Sequence, residues 1–234
     1  KESCIMASVR SVLWFRKGLR VHDNPALLRA CEGASVVQPV FVLDPWFVAP
    51  ERVGGNRLRF LLESLEDLAA SLEARGSSLL VLHGDPRRVI PTALEKWGCT
   101  RLCFEADTEP YAVARDAEVR AAAEAMGVEV HAPVSHTLWD TQLLLGKCAG
   151  GRPPTVYAQF LKLVSLVGPV PRPVGNGPGN LPPPASAPLD GLGDVVTGHG
   201  LPSLEQLGYA PLATSEGFPA RGGETEGMRR LRGM

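Results

Sequence analysis

Three consecutive residues near the start of the chain, His22, Asp23 and Asn24, combine side chains that general-base chemistry uses. A histidine beside a carboxylate could take up a proton from a nucleophile. Adjacent residues, however, seldom point at one another, and no serine or cysteine nucleophile accompanies this pair. Asn24 is also explained by another role, as the N-cap of a helix that begins at Pro25. The pattern therefore favours a helix start over catalysis.

The preceding loop carries Arg16, Lys17 and Arg20, the best local candidates for a basic patch. The formal net charge of -1 gives no reason of its own to expect nucleic-acid binding, which needs a local excess of Lys and Arg. The loop lacks the pattern GxGxxG, and the chain lacks GxxxxGK followed by Ser or Thr. The sequence therefore does not support dinucleotide or P-loop phosphate binding.

The cysteines are odd in number and scattered, without paired CxxC spacing or histidines at metal-ligand distances. We therefore expect free thiols in a reducing compartment and no metal site. No run approaches the length of a membrane-spanning helix, and no signal peptide is recognisable, so the nucleus and cytoplasm are the expected location, with no membrane. Residues before Met6 are interpreted as a leader or a gene-model artefact. The cysteines are Cys4, Cys31, Cys99, Cys103 and Cys148.

The elements that must position these side chains follow an α/β pattern. The 234 residues can hold one α/β domain with a sizeable core, and a hydrophobic fraction of 44% fits a soluble globular protein. Runs rich in β-branched residues alternate with helical patterns, which predicts a doubly wound, five-stranded parallel sheet with ligands beyond its carboxyl ends. The predicted strands are residues 11–15, 35–43, 79–82, 101–105 and 128–131, and the predicted helices begin near residues 25, 58, 86 and 111.

Two of these helices carry many charged residues. One predicted helix keeps leucines at helical spacing from Leu58 until Gly76 stops it. The charges on this helix and on the one from residue 111 are interpreted as solvated faces. They are Glu63, Glu66, Asp67 and Glu73 on the first helix, and Arg115, Asp116, Glu118 and Arg120 on the second.

Beyond residue 134 the pattern changes. Residues 135–145 and 155–167 each suit a helix, and together they form a helical extension, 135–167, of the α/β domain at 8–134. About half of residues 168–202 are glycine or proline, which predicts a linker whose interruption leaves stability nearly unchanged. Short capped helices are predicted at residues 201–208 and 222–231, and residues 203–234 form the last segment of the chain.

The exact residues of several segments are more informative about the protein family than the predicted secondary structure is. FRKGLRVHDNPALL at residues 15–28, followed by FVLDPWF at 41–47, closely resembles the opening of the photolyase/cryptochrome family, in particular animal cryptochromes and (6-4) photolyases. Other photolyases typically carry an acidic residue where this chain has Gly18, which favours the animal branch. Further segments follow in family order: FEADTEPYAVARD at 104–116, SHTLWD at 135–140, PPTVYAQF at 153–160, LPSLEQLG at 201–208 and GGETE at 222–226.

This resemblance implies a Rossmann-like α/β domain that accompanies a larger helical domain holding FAD. The whole protein would then use blue light to repair (6-4) photoproducts in damaged DNA, or serve circadian photoreception and transcriptional repression. Residues 203–234 would begin the helical domain, whose flavin-binding residues, electron-transfer tryptophans and catalytic histidines are not found in this chain. The chain is therefore predicted to be inactive alone. Core packing is the expected role of Trp14, Trp46, Trp97 and Trp139.

In this family the α/β domain holds an antenna chromophore, a deazaflavin or a folate, in a crevice at the edge of the sheet. A flat ring needs an apolar floor and a few polar groups that fix its orientation. Three alternatives remain open: the charged candidates pair with one another or cap helices without a ligand; the crevice docks a clock transcription factor; or the domain is an inactive relative of adenine-nucleotide hydrolases. The antenna candidates are Arg16, Phe41, Leu43, Asp44, Asn56, Asp107 and Glu109.

Overall fold

Valine- and leucine-rich runs form a parallel sheet at the centre of the molecule. The structure, a computed structural model, describes residues 8–186, 189–190, 192, 195–197, 200–210 and 220–234. The five parallel strands lie in the order β5-β4-β1-β2-β3, which confirms the predicted doubly wound sheet. The strands are β1 (Val9–Phe15), β2 (Ala34–Leu43), β3 (Leu80–His83), β4 (Arg101–Cys103) and β5 (Glu129–His131).

Helices cover both faces of this sheet, so the central strands are buried on both sides. One face packs against α1 (Pro25–Cys31) and α3 (Gly55–Glu73), and the other against α4 (Pro86–Lys96) and α5 (Pro110–Ala125). The remaining helices are α2 (Pro45–Val48), α6 (Thr141–Gly146), α7 (Tyr157–Val167) and α8 (Glu224–Arg232). None of the helices in the described ranges is long and apolar enough to cross a membrane.

Side-chain caps fix where the helices begin. Asn24 accepts a hydrogen bond from the backbone N–H of Leu27 at 2.9 Å, which confirms its predicted role as an N-cap. Asp85 caps α4 in the same way, through the N–H of Arg87. Asp44 accepts from the N–H of Trp46 at 2.9 Å and starts α2, a single turn that the sequence analysis did not predict. This turn redirects the chain at the carboxyl end of β2.

Two of the predicted helices differ from the prediction: one is shorter, and the other is only a turn. Of residues 135–145, only the part from Thr141 belongs to a helix, which Asp140 caps. Residues 201–208 do not form a helix but one capped turn, in which Ser203 and Gln206 exchange side-chain-to-backbone hydrogen bonds. Gly208, at a φ of 82°, ends this turn at once.

The four described cysteines, at positions 31, 99, 103 and 148, are free thiols as predicted, whereas Cys4 lies outside the described residues. Burial raises the pKa of Cys103 to about 12 and that of Cys99 to about 11. Within the described ranges, no group of three His, Cys, Asp or Glu side chains is arranged to hold a metal ion.

The proline-rich segment, residues 168–186, is not the unpacked linker that its composition predicts. β2 is ten residues long, but β3 pairs only with its last four, so part of the β2 edge is left uncovered. The carbonyl of Pro183 accepts from the N–H of Val37 there, and the N–H of Ala185 donates to the side chain of Gln38. Backbone groups that would otherwise be buried unpaired thus find partners.

The segment also contributes to the core. Leu181 is buried against the face that α3 covers, and its N–H donates to the carbonyl of Arg75 at 2.9 Å. Further along, β6 (Val195–Thr197) adds a short antiparallel strand beside β3. A proline-rich chain is already extended before it docks, and it therefore loses little conformational freedom on docking. High proline content is compatible with packing for this reason.

The last helix is held by polar contacts with the main chain. Backbone N–H groups of Gly222 and Thr225 donate to Glu63 and Asp67 of α3, at 2.7 and 3.0 Å. These two carboxylates are therefore not simply on a solvated face, whereas Glu66 is exposed as predicted. A Cβ at Gly222 would lie 2.2 Å from the carbonyl oxygen of Phe60, so only glycine permits this approach.

Leu181→Ala should lower the free energy of unfolding by about 2–5 kcal/mol, because the side chain is 7% exposed and its removal leaves a cavity. Leu189→Ala is the matched control in the same stretch, since Leu189 is 38% exposed and should contribute about 0.5 kcal/mol or less. Urea unfolding measures both. Equal and small effects would restore the linker interpretation.

Candidate functional site

A crevice of about 400 Å³ lies beyond the carboxyl ends of β1 and β2. α3 forms one wall, and the loop between β4 and α5 lies on the opposite side. Ligands of doubly wound sheets bind at this position, because helices leave the strand ends uncovered there. The apolar lining includes Trp14, Phe15, Phe41, Phe47, Val48, Leu58, Phe60 and Leu61. The polar lining includes Arg16, Lys17, Asp44, Arg57, Asp107 and Arg115.

Four of the seven antenna candidates line this crevice: Arg16, Phe41, Asp44 and Asp107. The other three do not. Leu43 is 1% exposed and belongs to the core under the sheet. Asn56 is exposed on the first turn of α3, and Glu109 is exposed and forms an ion pair with Lys17 at 3.0 Å.

At the floor of the crevice lies a network of four charged side chains that are at most 13% exposed, which we call the charge network: Arg16, Asp44, Arg115 and Asp116. The first three line the crevice. Asp116 pairs with both guanidinium groups, and Arg115 lies 3.6 Å from Asp44. Its two positive and two negative charges balance, which is the condition under which buried charges are tolerated. Desolvation lowers the pKa of Arg16, and the nearby Asp116 carboxylate opposes that shift.

The solvated face predicted around Arg115 is therefore wrong at Arg115 and Asp116. Arg115 is 4% exposed and its side chain faces the sheet. The sequence did contain a signal for this. The buried residues of α5 are Ala112, Arg115, Val119 and Ala123, a helical stripe in which Arg115 takes an apolar position. The charge of Arg115 favoured an exposed position, whereas its helical spacing with Ala112 and Val119 favoured a buried one, and the structure follows the spacing.

Aromatic rings contact both arginines. The guanidinium carbons of Arg16 and Arg115 each lie 4.9 Å from the ring centroid of Trp14, and Arg16 also lies 4.7 Å from that of Phe104. Such contacts stabilise a cation that has left bulk water. As a result, Trp14 contacts two cations at the floor of the crevice.

The tryptophans do not all serve the core. Trp14 and Trp97 are 2% exposed, as expected of core residues, but Trp46 is 44% exposed near the rim. Trp46 stacks on Tyr111 with ring centroids 4.5 Å apart, and the hydroxyl of Tyr111 donates to Asp44 at 3.0 Å. Trp139 is half-buried and donates to the carbonyl of Gly168. The one-turn helix α2 carries Trp46 out of the core toward this stacking partner.

A further ion pair lies at the crevice. Lys17 donates to Asp107 at 2.9 Å. Partial burial alone would raise the pKa of Asp107, but hydrogen bonds from Lys17 and from the backbone N–H groups of Glu109 and Thr108 outweigh it, so the pKa is lowered. Asp107 therefore stays ionised at neutral pH, and its charge is already matched.

One buried donor in the crevice has no acceptor. The Arg16 side chain is only 8% exposed, and its Nε–H finds no hydrogen-bond partner in the described part of the chain. One open alternative expects the charged candidates to pair with one another or to cap helices. They pair instead with other side chains, Arg16 with Asp116, Asp44 with Arg115, and Asp107 and Glu109 with Lys17. Asp44 does cap a helix, α2. A flat ring with a carbonyl oxygen fits the combination of apolar walls and an unused donor.

Comparison with known proteins bears on this arrangement. The family model for DNA photolyase matches residues 11–176. The chain belongs to the DNA photolyase family. It is similar to the (6-4) DNA photolyase of Arabidopsis thaliana, with 44% identity over 94% of this chain and 40% of that protein. It is also similar to cryptochrome-1 of Rattus norvegicus, with 42% identity over 95% of this chain and 37% of that protein.

Solved structures agree on the photolyase fold. A cryptochrome from Synechocystis sp. PCC6803 matches with a TM-score of 0.79 at 24% identity, over 97% of this chain and 47% of that one. A Sulfolobus tokodaii photolyase with two FAD molecules matches with a TM-score of 0.72 at 23% identity, over 95% of this chain and 46% of that one. The chain spans about 40% of the length of the curated relatives.

The photolyase loop before α1 depends on a glycine. A Cβ at Gly18 would lie 2.0 Å from a carboxylate oxygen of Glu105, which is 6% exposed. Glu105 lies 3.7 Å from Arg20 and accepts a hydrogen bond from Ser135. An acidic residue at position 18 would bring a second carboxylate against the first, which like-charge repulsion disfavours. The missing side chain of Gly18 therefore leaves the space that the Glu105 carboxylate occupies.

Arg115→Gln should cost about 3–5 kcal/mol of unfolding free energy, because it leaves the buried carboxylate of Asp44 without its cation and removes one of the two cations that pair with Asp116. Arg120→Gln on the same helix should cost less than about 1 kcal/mol, since its side chain is 39% exposed and its bonds to Glu124 and to the carbonyl of Val130 are both 3.4 Å long. Urea titration of the two variants measures the loss of unfolding free energy in each. Similar losses would show that Arg115 is not needed to balance the network.

Proposed function

We propose that this chain supplies the α/β part of a cryptochrome/(6-4) photolyase-type flavoprotein and that its crevice binds a flat antenna chromophore. The observation that carries the proposal is the buried Nε–H of Arg16, which lacks an acceptor inside an apolar crevice of about 400 Å³. A ring carbonyl would satisfy this donor. The volume lies within the range of roughly 300–1,000 Å³ that is typical of small-molecule sites.

The charges around the crevice favour a neutral ring with a polar tail. Arg16 and Arg115 are already balanced by Asp116 and Asp44, so the floor has no net charge to offer an anion. Arg57 is exposed and lines the crevice, where it could meet an anionic tail. Deazaflavins and folates combine a flat ring carrying carbonyl groups with such tails. We therefore propose one of these two classes as the ligand.

The roles of a longer protein containing this chain are also proposals. They comprise FAD-dependent repair of (6-4) photoproducts in damaged DNA by blue light, or circadian photoreception and repression, in the nucleus and cytoplasm. They are supported by family membership and by the similarity to both (6-4) photolyases and cryptochrome-1.

A second candidate function is the docking of a protein partner. Phe60 lines the crevice and is 41% exposed, and Trp46 is 44% exposed on α2. Exposed aromatic side chains beside a cavity are typical of docking sites for an apolar anchor. A clock transcription factor that inserts such a side chain would compete with the antenna for the same space. The ligand experiment therefore includes a small aromatic side-chain analogue.

Purified wild-type chain should bind 5-deazariboflavin or a folate with one-to-one saturation, followed by fluorescence anisotropy. Leu61→Trp places a larger side chain in the crevice and should weaken binding by at least about tenfold, or 1.4 kcal/mol. Leu143→Trp is the control, because Leu143 is 50% exposed on α6, away from the crevice.

The antenna proposal fails if neither chromophore saturates the wild type or if the two variants bind alike. Saturable binding of 3-methylindole that Leu61→Trp abolishes, without binding of either chromophore, would support partner docking instead.

The same chain should neither bind FAD stably nor repair DNA. The contacts that enclose FAD come, by the family resemblance, from the helical domain, and loss of each 1.4 kcal/mol of contact weakens binding about tenfold. Flavin fluorescence during FAD titration, followed by illumination with damaged DNA, provides the measurement. Stoichiometric FAD binding or light-dependent repair would contradict this expectation.

A further inference from the structure

A second cavity, of about 470 Å³, lies between the loop before α1, the C-terminal end of α3 and α8. We call it the basic pocket. Arg75 comes from just beyond the end of α3, Arg229 and Arg232 come from α8, and His22 comes from the loop. Its other lining residues are Val21, Ser71, Asn176, Glu224, Thr225 and Met228.

The docking of α8 assembles this pocket. The carboxylate of Glu224 accepts hydrogen bonds from the backbone N–H groups of Val21, at 2.8 Å, and His22, at 3.0 Å. Both carboxylate oxygens are thus engaged by the main chain. On the other side, the N–H of Thr225 donates to Asp67 of α3. These contacts hold α8 beside the end of α3 and bring arginines from two separate parts of the sequence to one cavity.

The arginines of the pocket are only partly neutralised. Glu226 pairs with Arg229 at 2.6 Å. Across the described ranges, by contrast, no carboxylate lies within ion-pair distance of Arg75 or Arg232. Arg75 donates from Nη1 to the carbonyl of Ser71, and its Nε–H is buried without an acceptor. The pocket therefore holds two unmatched guanidinium groups and an unused buried donor.

We propose that the basic pocket binds a phosphate-bearing small molecule through Arg75 and Arg232. Guanidinium groups present paired N–H donors that match phosphate oxygens, and a phosphate group supplies the acceptor that the Arg75 Nε–H lacks. The hydroxyls of Ser71 and Thr225 and the amide of Asn176 add neutral donors to the lining. The volume exceeds the need of a single inorganic ion, so the ligand class is a pyrophosphate or a phosphorylated metabolite.

The geometry favours a small molecule over a nucleic-acid duplex. The donors lie around one concave pocket of about 470 Å³, and the chain has a net charge of -1. Duplex binding instead needs several phosphate contacts spread along an extended basic surface. The pocket is separate from the candidate crevice and does not depend on the proposed antenna function.

Isothermal titration of the 234-residue chain with pyrophosphate, at constant ionic strength, should show one saturable site. Inorganic phosphate should bind at least about tenfold more weakly, because it spans fewer donors. Arg75→Gln combined with Arg232→Gln should weaken pyrophosphate binding at least tenfold. The control is Arg88→Gln with Arg172→Gln, which removes the same charge from exposed positions outside the pocket and should change the affinity less than twofold.

Arg232→Gln alone keeps the test decisive if the double variant misfolds, since Arg232 is exposed at the end of α8. It should weaken binding at least threefold. The proposal is overturned if pyrophosphate gives no saturable heat, or if the pocket variants and the control variants lose affinity equally. Equal loss would indicate attraction by general charge alone.

Discussion

Four charged side chains at the carboxyl ends of the central strands set the shape of the candidate site. Asp116 pairs with Arg16, which directly follows β1, and with Arg115 of α5, and Asp44 joins them directly after β2. Each charge is tolerated in the interior only because the others are present. The network therefore connects β1, β2 and α5, and both of its guanidinium groups lie 4.9 Å from the ring centroid of Trp14. The floor of the crevice above the network therefore has no net charge, because two arginines and two aspartates compensate one another.

One wall of the site depends on hydrogen bonds between backbone N–H groups and carboxylate side chains. The segment at residues 222–225 docks on α3 through backbone donors and carboxylate acceptors, and Gly223 of that segment lines the crevice. The proline-rich segment covers the uncovered edge of β2 in a similar way. In both cases hydrogen bonds of backbone groups help to position the segment, and in the proline-rich segment the buried side chain of Leu181 adds an apolar contact.

Helix α3 links the two cavities. Its first half, around Leu61 and Ser64, forms a wall of the crevice, while Ser71 and Arg75 contribute to the basic pocket. The segment that docks between them contacts both cavities through Gly223 and Thr225. A ligand that stabilises α8 in the basic pocket would therefore also hold one wall of the crevice in place, which gives the two proposed sites a physical connection.

Local features were determined by the sequence itself: the alternation of strands and helices, the caps at Asn24 and Asp85, and the segments that resemble the family, because each depends on neighbouring residues. Four of the seven candidates lie together because parallel strand ends share one edge. Only the tertiary structure decided that Arg115 meets Asp44, that the proline-rich segment packs and that α8 meets Arg75. These facts rest on partners more than 60 residues apart, which no local pattern specifies.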